Sequence, residues 1–488
     1  MKTHSVSHNF IMNMILKISS FVFPLITFPY VSRILGADGN GKILFAASLV
    51  SYFSMFAYLG IPTHGVKICA QCRDDKVELS RTAQELIIIS SVTTIIAYIA
   101  LVLAVAFVPK LSENRDTIMV CSATLVLTSI GVEWFYQAIE QYDYITYRNI
   151  LFKFISVVLM FLFVKKSSDV VLYAGISVLG TAGSNILNII RLKKYIYVKP
   201  MKGYNFRRHM GPAITFFLLS VSTVIYTNLD AVMLGFITTD TEVGYYNAAI
   251  KIKNILAGVI TALGTVLLPR ISHYVGKKYE KEFKRVIRKS FQFTVMMAVP
   301  LSIYFVMEAK SMILFLAGIE YEAAALPMMI ITPTIFFIGL SNITGIQILV
   351  PLGKEKYTVL STVCGAVIDI VLNLLFIPRW GAAGAAVSTL VAEIVVLLVQ
   401  VYCLRSMLRE MIDFRDILKV IIVSVIATGC FIIVRLTMNF TYLLVSLIVT
   451  AIVFFGVEAV GLILLKEEIV DQYFVQRIAN GIRRNNRT

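Results

Sequence analysis

Charge is scarce along this 488-residue chain, and acidic charge is scarcest. Asp and Glu number 29 against 45 Lys and Arg, and charged residues make up only 15% of the whole. That shortage excludes the charge-rich surface of an ordinary soluble protein. Cysteine is thin as well, at six residues, and the six form no disulfide framework. Cys121, Cys364, Cys403 and Cys430 fall within apolar runs or at their ends, where a thiol packs as a small hydrophobe. Cys69 and Cys72 make a C-x-x-C in an inner loop, yet no second ligand pair follows at the spacing of a structural zinc site. His4, His8, His64, His209 and His273 fall at run ends, in loops or in the N-terminal tail, and read as solvated residues. A nucleotide site is missing too. Gly36-Ala-Asp-Gly-Asn-Gly41-Lys42 begins like a phosphate-binding loop, but Ile43 stands where a Ser or Thr would hold Mg²⁺, and an apolar run precedes it instead of a strand. No cofactor and no metal are expected.

What the chain has in abundance is long apolar runs: 58% of its residues are hydrophobic and its mean hydropathy is +0.80. Crossing a bilayer takes about 20 apolar residues, and fourteen runs qualify, near 11–31, 43–62, 86–108, 117–137, 149–164, 170–190, 213–236, 244–268, 290–308, 326–350, 358–378, 382–404, 417–437 and 441–465. In hydrocarbon every backbone N–H and C=O must be paired within its segment, so these runs read as helices and the fold as an all-α integral membrane protein. The first run is long, contains Lys17 and lacks a small-residue cleavage site, unlike a cleavable signal peptide. Lys and Arg crowd every second break. The largest clusters, Arg191 to Arg208 and Arg270 to Lys289, fall inside if both termini are cytoplasmic, as the positive-inside rule expects. Lys165 and Lys166 sit on the wrong side of this scheme. The net charge of +16 is then basic loops meeting anionic lipid headgroups, with no nucleic acid implied.

The chain repeats itself. Arg33-Ile-Leu-Gly36 ends the first run, with Gly39 and Gly41 opening the next; Val232-Met-Leu-Gly235 ends the seventh, with Gly244 opening the eighth. Gln137-Ala-Ile answers Gln347-Ile-Leu, and each precedes a basic break. Runs 1–6 and 7–12 therefore read as parallel copies, a transporter device that places the site at the lobe interface. The expected division is 1–208 for the N-terminal lobe, 209–404 for the C-terminal lobe, and 405–488 for two extra helices and a cytoplasmic tail. Gly381-Ala-Ala-Gly384-Ala-Ala386 reads as a close-packing patch. Pro24 and Pro29 should bend the first helix.

Charges within the runs are costly and usually face a cavity or a partner. They are Lys17, Glu133, Lys153, Asp230, Lys251, Lys253, Asp369, Glu393 and Glu458. Asp230 and Lys251 lie at similar depths from the outer break Thr238–Val243, so Asp230 is expected to pair with Lys251 or Lys253. Asp369 and Glu393 lie near mid-membrane, where a carboxylate without a cation takes up a proton. Lys153 is near enough to the inner surface to snorkel.

The segment Phe23-Pro-Leu-Ile-Thr-Phe-Pro-Tyr-Val-Ser-Arg-Ile-Leu-Gly36 resembles the first-helix signature of bacterial polysaccharide-repeat-unit flippases. These are the O-antigen and capsule type, in the multidrug/oligosaccharidyl-lipid/polysaccharide exporter superfamily. Glu133-Trp-Phe-Tyr-Gln-Ala-Ile-Glu-Gln-Tyr142, Asn228-Leu-Asp-Ala-Val-Met-Leu-Gly235, Val243-Gly-Tyr-Tyr-Asn-Ala-Ala249 and Leu268-Pro-Arg-Ile-Ser272 resemble the same family, as do 347–354 and 373–384. The resemblance implies a two-lobed transporter of the bacterial cytoplasmic membrane that works by alternating access. Its cargo would be an oligosaccharide on undecaprenyl pyrophosphate, with a polysaccharide polymerase and chain-length proteins as further partners. It further implies cleft cations for the pyrophosphate, with Lys17, Arg33, Lys251 and Lys253 as candidates. For ion coupling or charge pairing the candidates are Asp230, Asn228, Asp369 and Glu393. A multidrug antiporter on the same fold would want acidic and aromatic groups for cationic drugs. A membrane polymerase, ligase or glycosyltransferase would want a large outer domain, whereas the longest outer break, Glu308–Ala325, is short and partly apolar. A membrane scaffold would leave the repeat and the buried charges unexplained.

Overall fold

The computed structural model describes residues 6–467 apart from 409–410, 412–413 and 439. His4 and most of the expected cytoplasmic tail lie outside the described residues. Among those residues the regular structure is all helical, as the backbone pairing argument requires.

Two compact units divide the chain, Met1–Asn247 and Ala248–Thr488. The first holds α1 (Val6–Tyr58), α2 (Ile61–Gln71), α3 (Lys76–Phe107), α4 (Pro109–Glu113), α5 (Arg115–Gly131), α6 (Glu133–Ala138), α7 (Tyr142–Phe163), α8 (Val170–Val178), α9 (Asn185–Leu192) and α10 (Arg207–Ile237). α11 (Asp240–Gly276) starts in it. The second continues with α12 (Glu280–Met307), α13 (Ala309–Ala317), α14 (Ala325–Ile331), α15 (Thr334–Ser341), α16 (Glu355–Leu408), α17 (Phe414–Thr437) and α18 (Leu443–Leu464). Compactness is a different property from repetition, so the division at 208 and 404 stands as a proposal about the repeat.

Nine helices among the described residues are long and apolar enough to cross a membrane, or twelve if each of three bent pairs is one span. α16 alone has 54 residues, about 80 Å of helix against a hydrocarbon core of about 30 Å. Such a helix exceeds one crossing, and it breaks at Gly381, whose φ is 51°. α1 breaks likewise at Gly36, with φ 66°. That left-handed conformation suits a residue without a Cβ. Within α1 the non-helical backbone is at Gly36; Pro24 and Pro29, expected to bend the helix, keep helical dihedrals.

Other elements depart from the apolar runs. Run 170–190 contains a π turn at 179–183, and run 326–350 breaks by 41° between Ile331 and Thr334. Cys69 lies in a helix, α2, and Cys72 caps it, where an inner loop was expected. The polar face of this short helix hid it from a reading of hydropathy.

Candidate functional site

Glycines set the geometry at one end of the first unit. A Cβ on Gly41 would overlap the carbonyl oxygen of Asp240, and one on Gly244 would overlap that of Ala37. The turn after Gly36 and the start of α11 therefore touch backbone to backbone. The Asp240 side chain, 10% exposed, meets Lys110 at 3.5 Å and accepts from Asn114 at 3.4 Å. The phosphate-loop-like glycine pattern thus serves helix approach.

Of the candidate residues here, Asp230 is buried and accepts from the Tyr246 hydroxyl. Asn228 bonds within its own helix, to Val224 O at 3.1 Å and Thr227 Oγ1 at 3.0 Å. Arg33 is exposed and donates to Pro29 O at 2.6 Å, and Lys17 is exposed on α1. Lys153 donates to the hydroxyls of Ser19 at 3.0 Å and Ser20 at 2.9 Å, which ties α7 to α1. Glu133 pairs at 2.5 Å with Arg148, whose side chain is 2% exposed and also reaches Asn185 Oδ1 at 2.8 Å. Arg148 precedes the apolar run 149–164, yet it is already helical because α7 begins at Tyr142, two turns before that run. Lys165 and Lys166 close a turn in which both backbone N–H groups donate to Asp169. Those N–H bonds hold the Asp169 carboxyl below its usual range.

In the second unit Lys251 and Lys253 are half-buried on α11, and Asp369 and Glu393 are buried on the two arms of α16. Gln400 accepts from Thr344 at 2.5 Å and donates to Ser361 at 2.9 Å. Buried polar bonds fasten the last two helices to α12 and the turn that follows it. Gln292 donates to Asp416 at 2.7 Å, Thr450 to Glu308 at 3.1 Å, and Tyr304 to Leu447 O at 2.8 Å. Glu458 accepts from Ser424 at 3.1 Å within the α17–α18 pair.

A second cluster in the first unit was not singled out in the sequence. His64 and His209, expected to be solvated, are 5% and 1% exposed, and Glu85 is fully buried. Arg208 reaches Glu85 at 2.6 Å and Glu78 at 2.7 Å. The preceding segment lies along α3, where Gln84 donates to Tyr197 O at 2.5 Å, accepts from Tyr204 OH at 2.6 Å, and Ser80 accepts from Tyr197 N at 3.0 Å. A charged residue one position before the apolar run, and histidines at run ends, leave no hydropathy signal of burial.

Comparison with known proteins bears on this architecture. A protein of Escherichia coli (strain K12) named "Putative O-antigen transporter" is 26% identical over 394 residues, 80% of this chain and 95% of its own length. The solved structure of the lipid II flippase MurJ in an inward closed conformation superposes with a TM-score of 0.75 at 15% identity, over 93% of this chain and 99% of that one. An inward-facing multidrug resistance MATE family transporter of the MOP superfamily superposes at 0.58 and 11% identity, over 79% and 93%. At such identities the two structures speak for the fold, a helical multi-pass membrane architecture. The MatE profile matches residues 213–375. The polysaccharide biosynthesis protein profile matches residues 6–275, more than half of the sequence, and the chain belongs to that family.

Proposed function

We propose that this protein is a flippase that moves undecaprenyl-pyrophosphate-linked oligosaccharide units across the bacterial cytoplasmic membrane for surface polysaccharide synthesis. The observation that carries the reading is the agreement of sequence family and fold. Membership of the polysaccharide biosynthesis family coincides with a flippase fold over 93% of the residues. The topology proposed is fourteen crossings with both termini cytoplasmic, counting α1 and α16 as two crossings each. The cycle is alternating access without hydrolysis, and the chain is a transporter and not an enzyme.

Lys17, Arg33, Lys251 and Lys253 are the proposed cations for the pyrophosphate, since a dianionic headgroup must exchange its hydration for fixed positive charge. Asp230, Asn228, Asp369 and Glu393 are the proposed groups for ion coupling or charge pairing, and a polymerase and chain-length proteins the proposed partners. The test is deletion of the gene in a strain without a redundant flippase. Lipid-linked units should then accumulate on the cytoplasmic face, out of reach of membrane-impermeant reagents. Units reaching the outer face at the normal rate overturn the assignment.

A further inference from the structure

The cluster at His64, His209 and Glu85 has a proton count that its geometry restricts. His64 Nε2 lies 3.0 Å from His209 Nδ1, and His209 Nε2 lies 2.7 Å from Glu85 Oε2. The carboxylate already accepts from Arg208 at 2.6 and 3.0 Å and from the Asn205 backbone N–H at 2.6 Å. Three such donors keep it ionised, so the proton between it and His209 resides on Nε2. Arg208 Nε, 3.3 Å from that nitrogen, then donates to the carboxylate. A neutral His209 therefore offers Nδ1 as an acceptor, and His64 must donate from Nε2. The far nitrogen, His64 Nδ1, is buried and has no hydrogen-bond partner. The three groups make a directed chain with one open proton-accepting end.

Both rings cannot be charged together, because two N–H groups would then face each other across 3.0 Å. The surroundings supply charge of both signs. α2 brings Lys67, with the thiols of Cys69 and Cys72 further along it. α3 brings Glu78, Arg81 on Glu78 at 3.0 Å, and the Thr82 hydroxyl, which accepts from Arg208 at 3.0 Å. α10 brings Arg208 and the ring of Phe216. α6 packs the uncharged indole of Trp134 onto Gly65. In total this is a network of fixed charges around a pair of rings that holds one proton more or one fewer.

We propose that His64, His209 and Glu85 form a binding site for a single proton, separate from the carboxylates proposed above, which latches α2 and α3 to the start of α10. A proton arriving at His64 Nδ1 forms an N–H bond there and leaves His64 an imidazolium, whose Nε2–H still donates to His209 Nδ1. His209 stays neutral with its proton on Nε2, and Glu85 stays ionised on Arg208 and the Asn205 N–H. The charge gained on His64 faces the Glu85 carboxylate through His209, which strengthens the chain that ties α2 to the start of α10 and to α3. The site itself rests on this geometry. Its role in coupling proton entry to transport rests on the flippase reading.

The test is ¹⁵N-histidine NMR on the full-length protein in lipid nanodiscs, with His64→Gln and His209→Gln for assignment. Between about pH 8 and pH 5, where histidine ordinarily titrates, His209 should start protonated at Nε2 and the cluster should gain one proton in a single step. Proton uptake per protein should fall by one in His64→Gln. Where that variant fails to fold, the near-isosteric Glu85→Gln should lose the step or move it to lower pH. Two charged rings at pH 5, a His209 protonated at Nδ1 at pH 8, or Glu85→Gln titrating like the parent each overturn the site. None of these readouts uses transport, so their failure leaves the flippase reading standing. In reconstituted vesicles, Glu85→Gln should reduce pH-gradient-driven flipping to the gradient-free rate. Unchanged gradient dependence removes the coupling role.

Discussion

Gly41 and Gly244 show how a single absent side chain decides where two backbones meet. A Cβ at either position would occupy the place of a main-chain oxygen, which cannot rotate away as a flexible side chain can. Gly41→Ala and Gly244→Ala should each cost about 1–3 kcal/mol, the usual penalty of overpacking, read as a lower thermal midpoint in detergent. Gly211→Ala, with open space around it, should not lower the midpoint. An unchanged midpoint for Gly41→Ala would mean that the contact is dispensable. Arg148 makes a second residue-scale test. Arg148→Met takes the charged donor from Glu133 and the donor from Asn185 Oδ1 and should destabilise by about 1–3 kcal/mol, whereas adding Glu133→Gln should recover part of the loss in a double-mutant cycle. Full additivity would mean that the pair at 2.5 Å is not a coupled unit. The sequence made Glu133 visible, since a carboxylate in an apolar run stands out. It hid Arg148, Glu85, His64 and His209, because polar helix turns at a membrane surface look like loops when hydropathy alone is read.

At the scale of elements, hydropathy located the long apolar helices and glycine located the breaks. Gly36 and Gly381 sit where α1 and α16 leave the helical region, between runs separated by only a few polar residues. What hydropathy could not give was α2, a short helix of mixed polarity, and the π turns at 179–183 and 342–349, which insert a residue without changing composition. The polar bonds from α17 and α18 to Gln292 and Tyr304 on α12 and to Glu308 just after it depend on partners far apart in the sequence. The proposed topology makes a direct prediction for these elements. Reporter fusions after Asp240, at the start of α11, and after Lys278, just past its end, should report opposite sides of the membrane. Both on one side would contradict the alternation of basic breaks from which the orientation was derived.

Across the whole molecule, the polysaccharide biosynthesis family membership covers residues 6–275. The helical fold is shared with a lipid II flippase over 93% of this chain. The central claim is that this chain alone, without nucleotide, translocates a lipid-linked oligosaccharide. The most direct measurement reconstitutes the full-length protein into vesicles with a fluorescent undecaprenyl-pyrophosphate oligosaccharide and follows its accessibility to a membrane-impermeant quencher. Exchange between leaflets should be much faster with the protein than in protein-free vesicles, and should need no ATP. Exchange no faster than in protein-free vesicles, from protein shown to be folded and with an ion gradient applied, would contradict the account.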